Sequence, residues 1–173
     1  MTATSSDQLN QVNLDAVGAL VGAIQESPSA AETTWSAEVR WTGAFRSEAT
    51  VREFAPITSD EPAALGGTDR APNPVEQLLS SLGNCLAVGY AANASVAGIT
   101  IRELRIDLEG DLDLHAFLGL TDGHAGFSAI RVAVHLDTDA DEAAVAELHA
   151  RVAASSPVGQ TLSRPIPVEI SPV

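Results

Sequence analysis

Apolar residues recur at three- and four-residue spacing in some stretches and at two-residue spacing in others, and the alternation of these periods predicts the order of elements. Leu14, Val17, Leu20, Val21 and Ile24 share one helical face behind a cap at Asn13; that helix runs to about Gln25, where Ser27, Pro28 and Ser29 break it. Residues 1–12 read as a frayed start. Trp35, Ala37, Val39 and Trp41 alternate over Thr34–Trp41, and Phe45–Phe54 is a second extended run. With Thr42, Gly43 and Ala44 between them, the two form a β-hairpin. Residues 55–72, punctuated by Pro56, Pro62, Gly66, Gly67 and Pro72, read as a loop with a short extended piece near Ala63–Leu65.

The next segment, Asn73–Ile99, is the longest apolar one. Asn73 is a good N-cap, Pro74 fills the first-turn position that needs no N–H, and Glu76 stands where a capping box places its carboxylate. Val75, Leu78, Leu79, Leu82, Leu86, Val88 and Val96 then cover nearly every side, the pattern of a helix enclosed by other structure. Ser80, Ser81, Asn84, Asn93 and Ser95 interrupt it too often for a membrane span. Beyond Gly98, Ile99–Leu112 reads as a strand, His115–Ser128 as a Gly-containing connection and Ala129–Leu136 as another strand. A helix from about Asp141 to Ala154, a short turn of helix from Ser156–Pro157 to Leu162 and a closing strand at Ile166–Ile170 complete the chain. Irregular alternation with hairpin-type pairing favours an α+β fold over a parallel doubly wound sheet.

Charge narrows the partners. Nine basic residues, all Arg, stand against 23 acidic ones, a net charge of −14 that repels phosphate backbones and anionic lipid; neither nucleic acid nor a membrane is an expected partner. At 173 residues and 45% hydrophobic the chain supports one domain, residues 1–173, with 1–33 as an N-terminal tail and extra helix. A single cysteine and a polar start favour a reducing cytoplasm.

That cysteine, Cys85, lies inside the long apolar segment and is either an inert packing residue or a nucleophile. Thiolate chemistry on a buried helix needs a cation close by, and without Lys this must be Arg or a charged His. Arg46 on the early hairpin and Arg70 in the loop before the central helix are the two arginines near segments expected to approach it; the alternative for each is a surface ion pair. His115, His124, His135 and His149 show no metal-ligand spacing, so no metal is expected, and His135 and His149 read as ordinary surface or strand residues. There is no nucleotide-binding loop and no nucleophile elbow.

The runs GTDRAPNPVEQLLSSLGNCLAV, GDLDLHAFLGL, IRVAVHLDTDA and SPVGQTLSRPIPVEI resemble the OsmC/Ohr superfamily, in particular a longer branch with an N-terminal helix, over Trp35 to Val173. The resemblance implies an intertwined α+β homodimer, with long central helices packed against antiparallel-rich sheets and active sites at the subunit boundary. It also implies peroxide reduction by a reactive cysteine with an activating Arg, a Glu near the helix start and a resolving cysteine, without metal, flavin or haem. Carried over, the reactive cysteine is Cys85 and the hairpin Arg is Arg46; Ser156 stands at the resolving position and Val75 at that of the Glu. Glu76, one step on, is nine residues from Cys85, a rotation of about 900° that places the two on opposite sides of a helix and leaves Glu76 as a capping residue.

The expected function is reduction of organic hydroperoxides by Cys85, regenerated by an external thiol, with hydroperoxide or another apolar ligand, that thiol and a second copy as partners. The alternative is a non-redox homodimeric binder or scaffold; non-peroxidase catalysis in the same pocket is a further route.

Overall fold

The computed structural model describes residues 8–172, and the chain falls into two compact units, one of residues 15–78 and one of residues up to 14 and from 79 onward. In the first unit, α1 (Leu14–Glu26) carries Val17, Leu20 and Val21 exposed along its apolar stripe. Strands β1 (Glu38–Gly43), β2 (Arg46–Thr50) and β3 (Ile57–Ser59) form an antiparallel sheet in that order. The expected hairpin is present, and the Trp41 indole donates to the Ala44 carbonyl at 2.8 Å to hold its turn.

Both strands are shorter than the alternation suggests. The first begins only at Glu38; the second stops at Thr50 because Arg52 takes a left-handed φ of 51° and the Phe54 N–H turns back to the Val51 carbonyl. The extended piece expected near Ala63–Leu65 is a 3-10 turn, and the strand that loop contains lies earlier, at β3, where it pairs Ile57 with Ala49 and Ser59 with Ser47. Isolated alternation is too short over three residues to reveal it; only β2 supplies the hydrogen bonds.

Helix α2 (Pro74–Val96) starts as the sequence dictates. The Glu76 N–H donates to Asn73 Oδ1 at 2.9 Å and the Asn73 N–H to the Glu76 carboxylate at 2.8 Å, a complete capping box. The unit boundary falls inside this helix, after Leu78.

In the other unit, β4 (Ile101–Leu112) and β5 (Phe127–Thr138) form a long antiparallel ribbon, joined by a connection holding the one-turn α3 (Leu114–Phe117). Leu104 and Ile106 lie opposite Leu136 and Val134 on its inner face, while Arg131 pairs with Asp111, and His135 with Asp107, on the outer one. Helix α4 (Glu142–Ser155), capped by Asp141, leads into α5 (Pro157–Leu162), capped by Ser156. Tyr90 and Ala94 of α2, Ile99, and Leu148 and Val152 of α4 form the buried core over the ribbon's inner face. Each large apolar side chain sequestered there contributes about 1.5–3 kcal/mol.

Two expectations change here. Residues 9–11 are not frayed but form a 3-10 turn, held where the Asn10 amide donates to Ser95 Oγ and the Ile99 carbonyl and accepts from the Ile101 N–H; residues 1–7 lie outside the described part. Ile166–Ile170 is no strand: Pro165 and Pro167 remove two ladder donors, and Ile170 is 92% exposed. Helix α2 buries Leu82, Tyr90, Ala94 and Ser95 and half-buries the rest of residues 89–95, while Val88 is 70% exposed.

Candidate functional site

Helices α4 and α5 run antiparallel along α2, and four contacts mark the path: His149 on Tyr90, Val152 on Gly89, Ser156 on Cys85, and Gly159 beside Leu82. Gly89 permits the approach, since a Cβ there would stand 3.1 Å from Val152 Cγ1. The line ends at the half-buried Cys85. Ser156, 3% exposed, donates its hydroxyl to Cys85 Sγ at 3.2 Å and accepts the Gly159 N–H at 3.1 Å. Its own N–H closes α4 on the Val152 carbonyl, and Pro157 opens α5 at the position that tolerates a missing donor. The helix junction therefore fixes the hydroxyl against the thiol.

His149 is not an ordinary surface residue. It is half-buried on α4, its Nδ1 lies 2.6 Å from the Tyr90 hydroxyl, and the two rings meet edge to face. Burial pushes the Tyr90 phenol above its usual range. His135, by contrast, is the exposed strand residue its pattern implies.

In the other unit, Arg46 opens β2, its Nε donating to the Gly43 carbonyl at 3.4 Å. It lines a pocket of about 330 Å³ with Arg70, Asp60, Glu48, Thr58 and Ser59 among others. Among the described residues no carboxylate lies within 4.0 Å of the Arg46 or Arg70 guanidinium, whereas Arg40, Arg102, Arg105, Arg131 and Arg151 each have one.

Asp60, 1% exposed, organises the pocket's loop. Its carboxylate accepts the backbone N–H groups of Glu61, Thr68 and Arg70 and the Thr68 hydroxyl, which together hold it down at about 2 despite burial. Gly67 lets the loop close, since a Cβ there would fall 1.8 Å from the Glu61 carbonyl oxygen. Sequence reading missed Asp60; its only mark is a carboxylate opening a Pro- and Gly-rich loop.

Cys85 and Ser156 are thus brought together, as are Arg46 and Arg70, in separate units. Glu76 serves the capping box. A half-buried thiol with a hydroxyl on its sulfur can act as a nucleophile, and two guanidinium groups with no ion-paired carboxylate among the described residues can meet an anion or stabilise a developing one.

The family model described as OsmC-like protein matches residues 67–171. Among solved structures, an OsmC like protein from Mycoplasma pneumoniae superposes with a TM-score of 0.67 at 22% identity, over 76% of this chain and 89% of that one. An organic hydroperoxide resistance protein OsmC from Legionella pneumophila gives 0.56 at 16% identity, over 76% and 91%. An organic hydroperoxide resistance protein from Elizabethkingia anophelis gives 0.55 at 15%, over 75% and 89%. At these identities the similarity establishes a shared α+β fold. No curated protein shows a sequence match to the chain.

Proposed function

The chain belongs to the OsmC-like protein family, and on that premise we propose that it reduces organic hydroperoxides through Cys85. The Cys85 thiolate attacks the distal peroxide oxygen, the O–O bond breaks, and the departing alkoxide takes a proton to leave as an alcohol. Sulfenic acid remains on the sulfur. An external thiol condenses with it, releasing water and forming a mixed disulfide, and a second external thiol frees Cys85 by exchange. Arg46 supplies the positive charge that favours thiolate and orients the peroxide, a role carried over from the family. A reducing compartment provides the thiols.

The observation that carries this reading is the Ser156–Cys85 contact: the position resembling the family's second cysteine lies on the sulfur. Assembly is part of the proposal. Val88 on α2 and Val39, Trp41 and Ile57 on the sheet are exposed apolar side chains that a second copy covers in a homodimer.

The test is consumption of cumene hydroperoxide with several dithiols, alongside mass analysis of Cys85 after brief exposure. Wild-type protein turns over and carries sulfenic acid; Cys85→Ser does neither, and Arg46→Ala slows oxidation. An unmodified wild-type Cys85, under conditions that oxidise a free thiol, overturns the proposal. It would turn the reading toward the alternative, a non-redox homodimeric binder or scaffold, which the absence of a second cysteine and the engagement of Glu76 in the cap favour.

A further inference from the structure

We propose that Ser156 is a catalytic residue of this reaction, its hydroxyl proton held on the sulfur of Cys85 to stabilise the thiolate that attacks. The inference rests on the peroxide-reducing reading. A serine hydroxyl has one proton to give and two lone pairs to receive. At Ser156 a lone pair takes the Gly159 N–H, and the proton is directed to Cys85 Sγ. The residue is 3% exposed, so bulk water does not compete for that proton. Backbone pairing to Val152 and the adjoining Pro157 fix the side chain's origin between two helices.

The donor discriminates between the two states of the sulfur. A thiol is a weak acceptor and a thiolate a strong one, so the same hydroxyl gains more from the ionised form, as hydrogen bonds to charged groups do. It is also no nucleophile toward sulfenic acid at this site, and with one cysteine in the chain the oxidised sulfur awaits a thiol from outside. Position 156 therefore assists attack without resolving its product.

Capping of α5 is the competing role, and the experiment separates the two. Alkylation of Cys85 by uncharged iodoacetamide is followed across pH in wild-type protein and in Ser156→Ala, Ser156→Gly and Ser156→Thr, with helix content checked by circular dichroism. Glycine is nearly as good a cap as serine and threonine is a fair one, but only threonine keeps the hydroxyl. The expected result is alkylation about tenfold slower in both the Ala and Gly variants on the acid side of the profile, with the profile displaced to higher pH, and rescue by Thr. Wild-type profiles in both the Ala and Gly variants overturn the proposal, as does failure of Thr to rescue. Ser156→Cys adds a geometric check: on treatment with cumene hydroperoxide the introduced thiol condenses with the Cys85 sulfenic acid, losing water, to give an intrachain disulfide. Sulfenylation without that disulfide overturns the contact. Because alkylation needs no peroxide, a wild-type protein that keeps the Ser156 dependence but reduces no hydroperoxide sinks the peroxidase reading alone.

Discussion

Asp60 shows how much a single side chain can organise. Its carboxylate gathers four donors from a loop that would otherwise leave them unpaired, and they hold it at about 2, below the ordinary 3.8. In the unfolded chain the carboxyl takes its proton first as acid is added, so its stabilising contribution is full above the ordinary carboxylate range and is lost as pH falls from about 4 through about 2. Asp60→Asn, with one carbonyl oxygen and two unwanted donors, should lower Tm at neutral pH and flatten the acid limb of the stability profile. A variant with the wild-type acid dependence would remove Asp60 as its source. Cys85 was legible as the candidate nucleophile because it is unique; its hydroxyl partner was legible only as a family position, since 71 residues separate the two.

At the scale of elements, the start of α2 is written locally and the packing of α2 is not. Asn73 and Glu76 exchange hydrogen bonds across one turn, so sequence spacing alone determines them. Asn73→Ala should cost about 1 kcal/mol in denaturant unfolding. Glu76→Gln retains an acceptor for the Asn73 N–H, and both fold and any hydroperoxide turnover should survive it; loss of turnover in a folded Glu76→Gln protein would make the carboxylate catalytic. Gly67→Ala, by contrast, should disrupt the pocket loop, because its Cβ has no space beside the Glu61 backbone, and proteolysis at residues 60–70 would report this. The strand at 57–59 and the absent strand at 166–170 share one cause. A short extended segment becomes a strand only if a neighbour offers its hydrogen bonds, which β2 does for the first. Pro165 and Pro167 limit the second.

The whole molecule leaves large apolar groups uncovered: Trp41 is 74% exposed, and Val39, Ile57, Val88, Val96 and Ile166 are exposed with it. Such groups are expected to lie in an interface, so sedimentation should find a homodimer at micromolar concentration, and Trp41→Glu should weaken it. A dilution-stable monomer with native secondary structure would count against that assembly. No described helix is long and apolar enough to cross a membrane. The sequence by itself determined the α+β class, the hairpin, the capped central helix and the uniqueness of Cys85, because period, caps and composition act over a few residues. Tertiary structure alone decided that Ser156 donates to Cys85, that Arg46 and Arg70 share a pocket, and that Asp60 ties its loop. Each of those depends on where distant segments meet, and no local pattern encodes a contact between them.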